Sequence, residues 1–461
     1  MIQSAAPHLR YRAITRSNID QVPQWQDVDA QLKEAVEIVS QVLPFRTNEY
    51  LINHLIDWDA IPDDPIFQLT FPQRGMLDVH QYEQLRDALN DGSSREEIKR
   101  IVHAIRMELN PQPAGQLTHN IPMLDGEPVP GVQHKYTQTV LYFPSHGQTC
   151  HAYCTFCFRW AQFVGEPELR FSSRDVCLFT DYLRAHPEVT DVLITGGDPL
   201  IMKTPLLQQY IGAITEVDSV RSIRIGTKSL GYWPQRFVTD NDADDLLRLF
   251  ERIVQSGRHL ALMAHVSHPI EFATRIAQQA ITRVRETGAN IRMQSPIIRH
   301  VNDSPDCWST MWQHGVELGC IPYYMFVERD TGAKQYFELP LVRCWELFRS
   351  AYQNVSGLAR TVRGPSMSCL PGKCHLLGVT TVGGQRAFAL EYLQARVATL
   401  VRQPFFAQYD EHATWFDQLK PLTSADEPFF HSATMVHPDI QDIRVNGHLS
   451  VRAPSARQLV S

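Results

Sequence analysis

The polarity pattern changes character twice along the chain. From about Asp27 to Leu109 apolar positions recur with helical spacing. Ser94-Arg95-Glu96-Glu97 has the form of a capping box, and Ile98, Ile101, Val102 and Ile105 then fall on one helix face. The periodicity ends at Asn110-Pro111. The next stretch, Pro111 to Gly131, holds five prolines and little pattern, which predicts a linker or lid. Beyond it, short apolar runs alternate with segments long enough for a helix: Thr139 to Phe143, Asp191 to Thr195, Ser222 to Gly226, Leu260 to Val266, Asn290 to Gln294 and Pro322 to Val327. Parallel strands need a crossover rather than a tight turn, so the alternation predicts repeated βα units, an α/β fold with a parallel sheet. Six units build an open or partial barrel, a (βα)6 arrangement, more readily than a closed barrel of eight. The C-terminal part reads as an apolar hairpin-like stretch, Leu376 to Tyr392, then Thr399 to Gln408, and from about Ser424 a tail of mixed composition that reads as a wrapping arm. The chain thus divides into a helical N-terminal region and linker (1–130), the partial barrel (131–355) and a C-terminal region (356–461).

Composition narrows the function classes. A chain of 461 residues suffices for two or three domains, or for one barrel with additions at both ends. Lys plus Arg total 43 against 50 Asp plus Glu, a formal charge of −7, which disfavours a nucleic-acid partner held through phosphates. Met1 to Arg12 has no apolar stretch of signal-peptide length and no run approaches a membrane span, so a cytoplasmic protein without a membrane partner is expected. Nine cysteines, an odd number, point to reduced thiols rather than a disulfide framework.

The candidate chemistry begins at Cys150-His151-Ala152-Tyr153-Cys154-Thr155-Phe156-Cys157, directly after the first apolar run. Three thiolates from one loop are soft ligands for zinc or an iron–sulfur cluster, and either site takes a fourth ligand. No further cysteine follows until Cys177, so the local set is three with one position open. The alternatives are buried structural thiols, or a zinc site completed by His151 or His146. After the second run stands Thr195-Gly196-Gly197-Asp198-Pro199. Its glycines let backbone approach a ligand closely and Asp198 offers acceptors to an ammonium, although a Gly-Gly pair also makes an ordinary tight turn.

C-x3-C-x2-C with Phe156 before the third cysteine resembles the radical S-adenosylmethionine (SAM) superfamily. There the three thiolates hold three irons of a [4Fe–4S] cluster and SAM chelates the fourth. The Gly196-Gly197-Asp198 segment is similar to the motif that meets the SAM amino group. Further blocks occur in order: Thr195-Gly-Gly-Asp-Pro-Leu200, Arg224-Ile-Gly-Thr-Lys228, Trp233-Pro-Gln-Arg236, His265 with His268-Pro269, Gln294-Ser295, Arg299-His-Val-Asn-Asp303 and Pro322-Tyr-Tyr324. Together they resemble the lysine 2,3-aminomutase family over roughly Lys135 to Lys373, as a divergent member. The resemblance implies a radical SAM partial barrel and a second cofactor, pyridoxal 5′-phosphate (PLP), held by Lys373 in the stretch Gly364 to Lys373. The family's loop carries more glycines, and the alternative is an exposed turn lysine. It also implies that Arg159 clamps the substrate carboxylate, the alternative being a structural ion pair. Lys135, where the family has an arginine, contacts the PLP phosphate, while the companion arginine position falls at Thr139. His265 and Gln294 match residues around SAM.

By the same resemblance, reductive cleavage of SAM yields a radical that takes a β-hydrogen from an amino acid held on PLP, and the amino nitrogen moves to the β-carbon. The implied partners are an amino acid, an electron donor such as a flavodoxin, a ferredoxin or a reductase, and further copies of the chain in a homo-oligomer. Lysine-using members place two aspartates around the distal ammonium, and gapless counting puts Arg329 and Ser366 there. A guanidinium repels an ammonium, so an acidic or polar substrate is expected, glutamate or aspartate first. Glu328 and Asp330 flank Arg329, and a shift of one residue restores an acid. Deamination or dehydration, action on a lysine of a partner protein, and a non-enzymatic iron–sulfur role are the other readings. With no cysteine after Cys374, no C-terminal zinc is expected, and Cys307, Cys320 and Cys344 read as core residues.

Overall fold

Eleven strands of the computed structural model form one mixed sheet in which every strand neighbours its successor in sequence. They are β1 (Val132–Tyr136), β2 (Thr139–Tyr142), β3 (Asp191–Ile194), β4 (Ser222–Thr227), β5 (His259–His265), β6 (Asn290–Ile297), β7 (Ile321–Val327), β8 (Arg363–Ser368), β9 (Gly372–Val382), β10 (Gln385–Ala395) and β11 (Pro404–Gln408). The structure describes residues 10–110, 119–166, 170–430, 441–445 and 448–452. Strands β2 to β8 run parallel, while β1 at one edge and β9 to β11 at the other are antiparallel. Helices Val176–Ala185, Thr204–Thr215, Ala243–Gln255, Arg275–Glu286, Pro305–Glu317 and Leu341–Gln353 make the six crossovers.

The strands alternate with period two, and the two faces differ in kind. One face buries Val192, Ile194, Ile223, Ile225, Leu260 and Leu262 in a core that includes Leu207, Phe250 and Ile281 of the crossover helices. The other presents Leu193, Gly226, Met263, His265, Gln294 and Phe326 to a cavity. All six expected strands are present, each within three residues of the expected bounds. The sheet and its core continue without a break past residue 355, where β8 extends the parallel run and β9 to β11 add antiparallel strands.

The stretch expected to be a loop before Lys373 is different. Arg363–Ser368 is a seventh parallel strand, and Lys373 opens β9, paired with Ser368 across a short turn. Beyond it β9 and β10 form the expected hairpin, closed by Gly383 and Gly384 with φ of +56° and +82°. Both values lie in the left-handed region that a two-residue turn of this type requires.

The N-terminal region folds as helices Ala30–Val42, Glu49–His54, Pro65–Thr70, Val79–Asn90 and Arg95–Leu109. The Ser94 hydroxyl accepts from the Glu97 N–H at 3.2 Å, and Val102, Ile105 and Leu109 are buried while Ile98 and Ile101 are partly so. This second core also takes in Ala152, Phe156 and Trp160 of the cysteine loop and Tyr232 and Trp233. In the expected linker, residues 111–118 lie outside the described residues, and Met123–Leu124 pairs with Glu127–Pro128 across Asp125-Gly126. Most of the expected arm from Ser424 also lies outside them, apart from residues 424–430 and the paired strands Gln441–Val445 and His448–Arg452. No helix of the described residues is long and apolar enough to cross a membrane.

Candidate active site

A cavity of about 320 Å3 opens at the carboxyl ends of the parallel strands, where loops of α/β folds gather functional groups. Its lining brings together Cys150, Cys154, Cys157 and Arg159 from the loop after β2, and Gly196, Gly197 and Asp198 from the loop after β3. His265 ends β5, Gln294 lies in β6, Arg329 follows β7, and Lys135, Ser366 and Lys373 come from β1, β8 and β9.

The cysteine loop is held by its backbone. Arg46 Nη1 donates to Thr149 Oγ1 at 2.6 Å and to Cys150 O at 3.2 Å, and its guanidinium lies 4.9 Å from the centre of the Tyr153 ring. The His151 carbonyl accepts from Tyr11 OH at 2.9 Å and Asn48 Nδ2 at 3.2 Å, and the Thr155 N–H donates to Leu69 O. The fixed backbone leaves the three thiols turned to the cavity. Burial pushes the Cys154 thiol up to about 11 and that of Cys157 to about 12, and it raises Cys150 as well. Thiols so placed stay protonated until a cation offsets the charge. Among the described residues no three His, Cys, Asp or Glu side chains converge as a single-ion site. A mononuclear zinc would need its ligand atoms about 2.0–2.3 Å from one point. Three thiols lining one cavity suit a [4Fe–4S] cluster, which takes one protein sulfur per iron. The histidines of the zinc alternative are engaged elsewhere: His151 Nδ1 faces Ser229 Oγ at 3.1 Å and His146 Nδ1 faces Tyr210 OH at 2.8 Å.

Glycine at 196 and 197 is a matter of space. A Cβ on Gly196 would stand 2.4 Å from Gln148 Nε2, and one on Gly197 would stand 2.5 Å from Thr149 O, the residues leading into the cysteine loop. The two loops are further joined by the Asp198 N–H donating to Thr149 O at 2.7 Å. Asp198 itself is buried, and its carboxylate accepts from Thr227 Oγ1, Lys228 N, Ser229 Oγ and Leu200 N at 2.8–3.0 Å. Burial pushes its carboxyl up and these four bonds oppose it. Asp198 therefore organises the loops after β3 and β4, and most of its acceptor capacity is spent on protein donors.

Lys373 is not an exposed turn lysine. Its Nζ lies in the cavity, 4.1 Å from the centre of the Tyr324 ring, and burial, with Arg224 and Arg363 adding to it, pushes the amine down to about 7. A lysine becomes a nucleophile only as the free amine, which this setting supplies. Lys135 Nζ donates to the Cys369 carbonyl and is likewise pushed down to about 7, mainly by burial. Thr139 Oγ1 donates to Asp191 Oδ2 at 2.9 Å.

Two guanidinium groups face the cavity without a full set of partners. Arg159 lies 4.2 Å from the centre of the Phe143 ring, meets no carboxylate among the described residues, and is pushed down to about 10 by burial. Arg329 stands between the rings of Phe158 and Trp415, at 5.5 and 5.6 Å, with Asp330 Oδ1 3.5 Å from its Nε. Its Nε and Nη2 are buried with no hydrogen-bond partner, and so is Ser366 Oγ. Buried unsatisfied donors are rare in native proteins and mark places where a ligand completes the set. Glu328 also lines the cavity, its carboxyl pushed up by burial. His265 is pushed down to about 3, which keeps its imidazole neutral.

Several residues at the site carry no signal that spacing reveals. Lys228 Nζ is bound by both Glu271 oxygens at 2.8 and 3.0 Å and by Ser267 Oγ at 3.3 Å, a buried ion pair beside the cysteine loop. Tyr232 OH contacts Cys154 Sγ at 3.7 Å. Arg46 and Asn48 lie some hundred residues before the loop they hold. Asn120, expected in a linker, lines the cavity.

No family model matches the chain. A protein of Aquifex aeolicus named "Putative L-lysine 2,3-aminomutase" is 33% identical over 356 residues, covering 77% of this chain and 83% of that protein. Proteins named L-lysine 2,3-aminomutase from Methanococcus maripaludis and Clostridium subterminale are 26% identical over 51% and 50% of this chain. The matches cover 51% and 52% of those proteins, so the chain spans about half their length. Among solved structures, SuiB of Streptococcus suis bound to precursor peptide SuiA overlaps with a TM-score of 0.34 at 13% identity, covering 56% of this chain and 51% of that one.

Proposed function

Since the chain belongs to the lysine 2,3-aminomutase family of radical SAM enzymes, we propose that it moves the α-amino group of an acidic or polar amino acid to the β-carbon, with PLP beside the cluster and SAM. The observation that carries this is one cavity holding three thiols and the amine of Lys373. When bound, the cluster and SAM supply the radical that takes a substrate hydrogen, and PLP supplies the carbonyl that activates the amino group for migration.

The chain's own residues then have distinct tasks. Cys150, Cys154 and Cys157 would hold the cluster, Gly196 and Gly197 let their loop pack on the cysteine loop, and these glycines with His265 and Gln294 would line the place for SAM. Lys373 Nζ is the attachment point for PLP, and Lys135 with the Ser366 hydroxyl faces its polar groups. Arg159 is the fork for the substrate carboxylate, since a planar guanidinium pairs with two oxygens at once. Arg329 offers Nη2, which has no hydrogen-bond partner, to the side chain of the substrate, while its Nε faces Asp330 Oδ1 at 3.5 Å. Residues of nine consecutive strands, β1 to β9, reach the same cavity, which supports a sheet curled into a partial barrel that excludes water from the reacting groups. A cytoplasmic homo-oligomer served by a flavodoxin, a ferredoxin or a reductase completes the proposal.

Anaerobic reconstitution with iron, sulfide, SAM and PLP, followed by turnover of a panel of amino acids labelled at the α-nitrogen, tests it. Label on the β-carbon of glutamate or aspartate is expected, with lysine a poor substrate and Arg329→Asp reversing the order. Lysine as best substrate with Arg329→Asp silent would overturn the side-chain assignment, and would favour Glu328, which lines the same wall, as partner of a substrate ammonium. Release of labelled ammonia without migration would replace the mutase by an eliminating enzyme.

A further inference from the structure

The buried hydroxyl of Tyr232 plays no part in the roles assigned so far. Tyr232 ends the short helix Ser229–Tyr232 and is 1% exposed. Its hydroxyl contacts Cys154 Sγ at 3.7 Å and, among the described residues, has no other hydrogen-bond contact. A buried phenol normally finds a partner, and a sulfur is an uncommon choice unless it carries charge.

Three independent contacts aim the ring. The Tyr232 N–H donates to Lys228 O at 2.9 Å, and its carbonyl accepts from Asn48 Nδ2 at 3.1 Å. The Lys228 ammonium sits 4.3 Å from the ring centre and is itself locked by Glu271. Gly231 makes room for that lock, since a Cβ there would stand 2.4 Å from Glu271 Oε2. Lys228, held by Glu271, packs on the ring and Asn48 fixes the backbone of a residue whose phenol points at one of the three cysteine sulfurs.

We infer that Tyr232 is a positioning residue of the cluster: with Cys154 ligated as thiolate, its hydroxyl donates a hydrogen bond to that sulfur and raises the cluster's reduction potential. A ligated thiolate has no proton, so the phenol is the only donor of the pair. On reduction one electron from an external donor enters the cluster, its net charge becomes more negative by one, no bond to the protein breaks and the phenol keeps its proton. A hydrogen bond to sulfur stabilises the more negative state, as hydrogen bonds to cluster sulfurs do generally. The effect is to let a milder donor load the electron. The inference rests on the cluster reading above.

The test is a dithionite titration of the anaerobically reconstituted full-length protein, followed by electron paramagnetic resonance, together with iron and sulfide content. Tyr232→Phe, which keeps the ring and removes the donor, is expected to retain its iron and to shift the midpoint to more negative potential. The reduced cluster should also lose a hyperfine coupling that exchanges in deuterium oxide. Tyr232→His, smaller but still a donor, should lie nearer the wild type. A merely structural role predicts the reverse order, because the histidine leaves the larger void. An unshifted midpoint in Tyr232→Phe, or that reversed order, would overturn the inference. A wild-type protein that takes up no cluster would show no signal at all, which overturns the cluster reading and this inference with it.

Discussion

At the scale of single residues, the buried amine of Lys373 makes the most direct prediction. An exposed lysine titrates near 10.4, whereas burial beside Arg224 and Arg363 pushes this one to about 7. Below that value the group is an ammonium and cannot condense with an aldehyde; above it the amine is free. Capture of pyridoxal, trapped with borohydride and measured by mass, should therefore rise through about pH 7 and level off well below pH 10. Lys135 titrates in the same range and lines the same cavity, so the adduct is assigned to Lys373 by peptide mass. Lys373→Ala should lose the adduct, and a rise only near pH 10 would show that the amine is solvated. Arg329 was legible as a departure from the family pattern, but only the structure shows its Nε and Nη2 buried without partners.

At the scale of elements, the loops after β2 and β3 behave as one unit. A methyl group at residue 197 would press on the Thr149 carbonyl, so Gly197→Ala should displace the cysteine loop. The expected result is iron uptake reduced several-fold with the far-ultraviolet circular dichroism unchanged. Asp198→Ala strands the N–H groups of Leu200 and Lys228 and the hydroxyl of Thr227. One buried unsatisfied group costs about 1–3 kcal/mol, and a loss of at least that size should appear in urea unfolding. The six central strands were readable because each is a short apolar run bounded by turn residues. β8 was not, since Arg363-Gly-Pro-Ser-Met-Ser has neither an apolar run nor β-branched residues, and its strand form comes from lying between β7 and β9. Cysteine spacing announced the thiols. Nothing local announced Tyr232, Arg46 or Asn48, whose roles depend on contacts that form only when distant segments meet.

At the scale of the whole molecule, the N-terminal helices and the sheet share the cysteine loop as common ground. Asn48 is the clearest joint: its Nδ2 donates to the carbonyls of His151 and Tyr232 while its Oδ1 caps the helix Glu49–His54 through Tyr50 N and Leu51 N. Asn48→Ala should cost about 1–3 kcal/mol by urea titration and should speed loss of iron to a chelator, whereas an unchanged release rate would show that the two layers hold the loop independently. The cavity gathers sulfur from the loop after β2 and the amine from the start of β9, at opposite ends of the parallel run. On the proposed chemistry, a truncated product that stops short of Lys373 would carry the source of the radical without the tether for its target. Translation of this chain therefore completes the cluster loop long before the tether is made.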